Sequence, residues 1–196
     1  MRKTTEKSTK GKIVAAAWEL FYENGYDDTT VDAIVEKSGT SKGSFYHYFD
    51  GKDALLSSLS YLFDEKYESL KDNLDPGMSA FEKLVYLNKE LFLMIDNSIS
   101  VDLLARLLSS QLVTKSEKHL LDRDRTYYKL LRKIIMEGQQ AGELTGEVSA
   151  NEIVKAYAVY ERALLYDWCI CEGDYSLSRY SEGMIGIFLG GFFKKK

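Results

Sequence analysis

The stretch TTVDAIVEKSGTSKGSFYHYF, residues 29–49, holds two short helix patterns on either side of Ser38-Gly39-Thr40. Thr29 or Thr30 can cap the first helix, because a threonine side-chain oxygen accepts a hydrogen bond from an unpaired amide of the first turn. Ser41 can cap the second helix in the same way, and a glycine after the first helix favours its termination. Two short helices joined by such a turn predict a helix-turn-helix.

The second of these helices presents mostly polar side chains once Phe45 and Phe49 are assigned to the core. A helix fits the major groove of DNA and contacts base edges through its N-terminal turn. Gly43 and Ser44 are small enough to let the backbone approach DNA closely, and Lys42 can donate to guanine or phosphate. We therefore expect double-stranded DNA as a partner.

The spacing of apolar residues predicts helices along the rest of the chain as well. Gly51-Lys52 begins a predicted long fourth helix that carries leucines 55, 59, 62 and 70 on one stripe. Later helix starts are predicted at Asp75-Pro76, at a Thr114–Glu117 capping box and at a Ser149–Glu152 capping box. Because the chain has one proline and few runs of β-branched residues, we predict an all-α fold.

The runs AAAWELFYENGYDDTT and SKGSFYHYFDGKDALL resemble the DNA-binding domain of the TetR family of transcriptional repressors, across roughly residues 10–56. The resemblance implies a nine-helix, Ω-shaped fold with a helix-turn-helix domain in residues 1–51 and a helical ligand-binding and dimerisation domain in residues 52–196. It also implies a repressor that binds a palindromic operator as a homodimer and is released by a small hydrophobic inducer.

The resemblance further implies which residues contact DNA. Those expected to contact phosphates are Thr30, Tyr46, Tyr48 and Lys52. Those expected to contact bases or the groove are Ser41, Lys42, Gly43, Ser44 and His47.

The last two predicted helices have the features of a subunit interface. Residues 149–172 predict a helix that is apolar on most sides, which is typical of a core or an interface. Each glycine costs about 1 kcal/mol relative to alanine in a helix, so three on one face of the final helix indicate the close approach of another helix. The predicted dimer interface comprises Leu165, Gly183, Gly186, Ile187 and Gly190.

A polar residue on an apolar stripe is the basis for the predicted inducer pocket. Glu161 lies on such a stripe of the eighth predicted helix, and a buried carboxylate is unfavourable unless it is paired or used. It can hold a cationic ligand among aromatic faces, or it can pair with an arginine of the same chain or of a partner. The predicted pocket comprises Asn88, Phe92, Tyr128, Tyr157, Tyr160, Glu161 and Trp168.

Composition excludes some classes of protein and leaves one alternative. The net charge is −4, but residues 1–12 carry five basic side chains against one acidic, a weak indication of nucleic-acid binding. Histidines and cysteines are not spaced as metal ligands and no nucleophile motif occurs, so we expect no enzyme, metal or cofactor. With no apolar run near ~18 residues and no signal peptide, we expect a cytoplasmic protein without a membrane partner. The alternative is a TetR-like DNA-binding protein without an inducer, such as an architectural or cell-division factor.

Overall fold

The computed structural model describes residues 8–56, 58–113 and 118–193, and all of their regular structure is helical. The only β-type pairing within these ranges is an isolated bridge between Leu144 and Phe193. The all-α prediction is therefore confirmed. The α-helices are α1 Thr9–Asn24, α2 Val31–Ser38, α3 Lys42–Tyr48, α4 Lys52–Leu56, α5 Leu59–Asn73, α6 Ala80–Ser98, α7 Val101–Val113, α8 Thr126–Gln140, α9 Ala150–Ile170 and α10 Leu177–Gly190, with a 3-10 turn at His119–Leu121.

The described residues form ten α-helices rather than nine, because the predicted long fourth helix is divided into α4 and α5. A turn at Ser58 separates them, and this serine is almost fully buried. Its hydroxyl donates to the carbonyl of Leu55 and accepts a hydrogen bond from Trp18 Nε1 at 2.9 Å. A serine side chain that bonds to nearby backbone competes with helix continuation.

Two other predicted helix starts also differ. The sixth helix begins at Ala80 rather than at Pro76, since Ser79 and Glu82 form a reciprocal capping box. Asp75 instead supports a turn, in which its carboxylate accepts from Gly77 N at 2.8 Å. The predicted Thr114–Glu117 capping box lies outside the described residues, and the helix that was expected to follow it begins at Thr126.

The chain divides into two compact units, the first ending at Leu59 and the second beginning at Ser60. In the first, α1, α2 and α3 pack around the fully buried Ile13, Ile34 and Phe45. The predicted boundary after residue 51 would remove α4 from this unit. However, Tyr26 donates a hydrogen bond to Asp53 of α4, so that helix is tied to the loop after α1.

The second unit is a helical bundle in which α6 packs on α10 and α8, and α9 packs on α7, α8 and α10. At Gly138 of α8 the start of α6 comes so close that an added Cβ would lie 2.6 Å from the Cβ of Ala80. Its core includes Leu84, Leu87, Ile95, Leu104, Leu131, Ile135, Ile153 and Leu189. None of the described helices is both long enough and apolar enough to span a membrane.

Candidate nucleic-acid interface and internal cavity

Local hydrogen bonds hold the helix-turn-helix in shape. Thr30 caps α2 by accepting from Ala33 N at 3.1 Å, while Thr29 donates to the carbonyl of Gly25 at 2.7 Å. Ser41 caps α3 by accepting from Ser44 N at 3.0 Å. Gly39 lies between the helices in the left-handed conformation with φ of 63°, where a side chain would be strained. The predicted caps and turn are therefore confirmed.

The face of α3 opposite its core residues is open to solvent. Phe45 and Phe49 point into the unit, whereas Tyr46 is 50% exposed and Tyr48 43% exposed. Tyrosine hydroxyls on such a face can donate to phosphate oxygens, and the rings can contact thymine methyl groups. The other predicted contact residues Ser41, Lys42, Gly43 and His47 are also exposed, and Ser44 is half-buried.

Lys42 lies at the start of α3 and pairs with Asp32 of α2, with Nζ 2.7 Å from Oδ1. This hydrogen bond raises the pKa of Lys42. Both side chains are largely exposed, so the pair is weak and its lysine can exchange the carboxylate for a DNA acceptor. Asp32 thus holds Lys42 at the first turn of α3 without burying it.

Lys52 has a structural role that the sequence did not reveal. Its ammonium donates to the carbonyls of Tyr26 at 2.6 Å and Asp27 at 3.1 Å, and lies 4.3 Å from the centre of the Tyr26 ring. An ammonium has three donors, so one remains for a phosphate. Because the same side chain fastens the loop after α1 to α4, replacing it will affect the fold as well as any DNA contact. Of the predicted basic N-terminal residues, Arg2, Lys3 and Lys7 lie outside the described residues.

The second unit encloses a small cavity of about 50 Å³ among α5, α6, α7, α8 and α9. Its wall is mostly apolar, with Phe63, Leu91, Leu104, Leu107 and Leu165 among the lining residues. The lining also includes the polar residues Tyr67, Tyr127, Arg125, Glu161 and Arg162, although the surface that faces the cavity is almost entirely apolar. Within the described residues, no cluster of side chains is arranged to hold a metal ion.

Glu161 is buried in this wall and is held by neutral hydrogen-bond donors. Tyr127 donates to Oε2 at 2.7 Å, and Asn88 donates to Oε1 at 3.0 Å. Asn88 in turn accepts from Ser181 of α10 at 2.5 Å. Burial raises the pKa of Glu161 to about 7, against the opposing effect of these hydrogen bonds. Neither an arginine ion pair nor an obligatory cation is needed to explain this carboxyl group.

The structure does not bring the seven predicted pocket residues together. Only Glu161 lines the cavity, while Tyr128 lines a neighbouring cleft and Asn88 acts through Glu161. The remaining members do not line the cavity, although the Tyr157 hydroxyl lies beside Glu161. Tyr157 donates to the carbonyl of Leu84, Tyr160 stacks on Phe188, Trp168 donates to the carbonyl of Tyr175, and Phe92 is fully buried outside the lining set.

The sequence did not single out several cavity residues. Arg125 pairs with Asp64 at 2.9 Å, so its charge is balanced within the wall. Tyr67 is 1% exposed, and its hydroxyl has no hydrogen-bond partner among the described residues. Ala158, Glu161, Arg162 and Leu165 are spaced as one helical face, a signal that could have identified this side of α9.

The outer faces of α9 and α10 expose apolar side chains. On α9 these are Val159, Tyr166 and Ile170, and on α10 they are Tyr180, Met184 and Ile187. Of the predicted interface residues, Ile187 is 72% exposed, and Gly183 and Gly190 are exposed with open space around them. Gly186 instead faces Phe81 of its own chain, and Leu165 lines the cavity.

Comparisons with known proteins agree with this arrangement. Residues 13–59 match the family model of bacterial regulatory proteins, tetR family. The fatty acid metabolism regulator protein of Bacillus subtilis is 23% identical over 188 residues, covering 94% of this chain and 95% of that protein. The regulator TtgR of Pseudomonas putida is 25% identical over 191 residues, covering 87% and 85%. The structure of FadR from Bacillus subtilis with stearoyl-CoA superposes with a TM-score of 0.69 at 22% identity, covering 92% and 97%. These comparisons support a TetR-family transcriptional regulator, with the family model matched over residues 13–59.

Proposed function

We propose that this protein is a repressor that binds a palindromic operator as a homodimer and leaves it when a small hydrophobic inducer binds. The observation that carries the proposal is the form of α3, which buries Phe45 and Phe49 and exposes Lys42, Tyr46 and Tyr48 on its other side. Exposed tyrosines beside a lysine, on a helix whose first turn is open, suit a phosphate backbone and a groove edge.

The proposed dimer uses the apolar outer faces of α9 and α10. Six large apolar side chains on these two helices are each at least 36% exposed. Large exposed apolar side chains that form a patch mark an interaction site in proteins. Gly183 and Gly190 add a place where a partner helix can approach α10 without meeting a side chain. Two copies related by a two-fold axis would present two α3 helices, which matches a palindromic site.

The proposed inducer site is the cavity of the second unit. Its surface is almost entirely apolar and a few polar residues are among the side chains that line it, which is the usual composition of a small-molecule site. FadR of Bacillus subtilis was crystallised with stearoyl-CoA, but a similarity at 22% identity shows only that the fold is shared. The ligand of this chain must therefore be inferred from its own residues.

One observation favours the alternative of a DNA-binding protein without an inducer. The cavity measures about 50 Å³, whereas small-molecule pockets usually occupy roughly 300–1,000 Å³. An inducer must therefore enlarge the site when it binds. Release from DNA by no compound in a broad panel of cationic, neutral and anionic amphiphiles would favour this alternative.

The test of DNA binding begins with a random duplex library enriched on the immobilised full-length protein. We expect the enriched sequence to be palindromic, and fluorescence anisotropy to give an affinity that falls steeply with salt as phosphate contacts release counterions. Lys42→Ala should change base preference at one position in each half-site by about tenfold to a hundredfold.

The matched control is Lys71→Ala, which removes an equally exposed lysine from α5. It should bind the enriched duplex as the wild type does. If Lys42→Ala and a Tyr46→Phe/Tyr48→Phe double variant both keep wild-type affinity and preference, α3 is not the reading helix.

A further inference from the structure

A second concave site lies beside the cavity and has the opposite character. This cleft of about 200 Å³ is formed by α8, α9 and the chain after the 3-10 turn. Four cationic side chains and no acidic one line it: Arg123, Arg132, Lys155 and Arg162. This clustering of basic side chains is not a consequence of composition, because residues 53–196 contain eighteen basic and twenty-two acidic residues.

Two cations of this basic cleft hydrogen-bond to neutral groups, while the charge of Arg162 also acts on Glu161 and that of Lys155 on Glu152, neither of which lines the cleft. Arg132 Nε donates to Asn151 Oδ1 at 3.0 Å, and Arg162 donates to the Tyr128 hydroxyl at 3.2 Å. None of the four forms an ion pair with a carboxylate of the described residues. Four like charges that line one cleft repel one another, and an anion between them relieves that repulsion. Guanidinium groups also match the geometry of carboxylate and phosphate oxygens.

The basic cleft and the apolar cavity share a thin wall. Ala158 and Arg162 line both of them, and the consecutive residues Leu120 and Leu121 line one each. The wall is held by two linked hydrogen bonds, from Arg162 to the Tyr128 hydroxyl and from that hydroxyl to the carbonyl of Leu120 at 3.0 Å. Displacing these contacts would join a charged opening to an apolar interior.

A buried polar group in the cavity is also unsatisfied. The Tyr67 hydroxyl has no hydrogen-bond partner among the described residues, although its side chain is 1% exposed. Leaving a buried hydroxyl unpaired is unfavourable, so a ligand atom that bonds to it would gain more than the same contact at a surface. The interior therefore suits an apolar body, and a hydrogen-bonding atom that reached the Tyr67 hydroxyl would add to its affinity.

We propose that the effector of this protein is an amphipathic organic anion whose acidic group binds among Arg123, Arg132, Lys155 and Arg162 and whose apolar body enters the cavity. The assignment names the ligand class of the proposed inducer site and so rests on the proposed function. The anionic group can be the carboxylate of a free acid or the phosphates of a coenzyme A thioester. Both have the chemistry that the basic cleft recognises.

The test compares four ligands with the same ten-carbon tail, namely decanoate, decanoyl-CoA, decanol and decyltrimethylammonium. Calorimetric titration of the full-length protein without DNA should show binding of at least one anion, and at least tenfold weaker binding of the neutral and cationic compounds. Tight binding of decanoate assigns the carboxylate as the head group, whereas binding of decanoyl-CoA alone assigns the phosphates. Equal binding of the cation, or no binding of either anion, would overturn the inference.

Charge variants locate the head group. Arg132→Gln and Lys155→Gln should each weaken the anion at least tenfold, while Lys133→Gln, an exposed neighbour that lies 3.9 Å from Glu137, should not. Circular dichroism melts establish that all three variants are folded. Wild-type anion affinity in both cleft variants would contradict the assignment. An anion that binds as described but does not release the protein from its operator would contradict the proposed induction. The inference about the binding site would still stand in that case.

Discussion

Glu161→Gln is expected to stabilise the protein above pH 7 and to remove part of the pH dependence of its stability. Burial raises the pKa of this carboxyl from 4.5 to about 7 in the folded chain. One pKa unit corresponds to 1.36 kcal/mol, so keeping Glu161 ionised in the folded state at pH 8 costs about 3 kcal/mol. Glutamine has nearly the same shape and stays neutral, so this cost is absent.

The sign of the effect follows from which state holds the proton. The folded chain binds the proton of Glu161 more tightly than the unfolded chain, so the free energy of unfolding falls as pH rises from about 4.5 to about 7. Below this window both states are protonated, and above it the loss is complete. Glu82 and Glu152 act in the opposite direction and at lower pH, because hydrogen bonds within the capping boxes lower their pKa.

Thermal unfolding from pH 5 to 8.5, at one protein concentration, measures the difference. We expect the stability of Glu161→Gln relative to that of the wild type to rise by about 2–3 kcal/mol between pH 5 and pH 8. For a chain of this size that changes the difference in Tm by roughly 4–12 °C. The exposed Glu65→Gln should follow the wild-type curve. A changed contact with Tyr127 adds only a constant offset, so a difference that is independent of pH would refute the reasoning.

Other predictions concern packing and assembly. Gly138→Ala should lower the free energy of unfolding by about 1–3 kcal/mol in denaturant melts, because its Cβ would overlap Ala80, whereas Gly146→Ala meets nothing within 4 Å. Ile187→Glu should shift the protein from dimer to monomer in light scattering at micromolar concentration, whereas Leu112→Glu, equally 72% exposed on α7, should not. Lys52→Ala should destabilise the first unit by about 1–3 kcal/mol in calorimetry, since two carbonyls lose a charged donor.

The features that sequence predicted correctly are those decided within three or four residues. Thr30, Ser41 and the Ser149–Glu152 box each satisfy amides of their own first turn, so the cap can be read from local spacing. Where a local signal was overlooked, the prediction failed. Asp75-Pro76 was predicted to start a helix, whereas the structure starts it after Ser79 with a Ser79–Glu82 capping box.

The features that sequence missed depend on contacts between distant elements. Ser58 ends α4 partly through Trp18, forty residues earlier, and nothing in the local pattern of leucines indicates that bond. The cavity requires side chains from five helices, so no spacing along one helix defines it. Glu161 was correctly identified as unusual, and the Tyr157 hydroxyl does lie beside it. Tyr160 and Trp168 were chosen from the wrong side of the helix, because they have partners elsewhere.

The ionisation of Glu161 also distinguishes between a cationic and an anionic ligand. It is surrounded by the hydroxyls of Tyr127 and Tyr157, the amide of Asn88 and the charge of Arg162, which all favour the ionised form. Burial opposes ionisation more strongly than these groups together favour it. A cation in the cavity would lower the pKa of Glu161, so its affinity would rise as pH increases through about 7. An apolar tail would deepen the burial and raise that pKa, so the affinity of an anionic amphiphile would fall over the same range.

Titrations of decanoate and decyltrimethylammonium at pH 6 and pH 8, repeated with Glu161→Gln, measure these opposite slopes. An anion that bound more tightly at pH 8 in the wild type but not in the variant would contradict a tail beside Glu161.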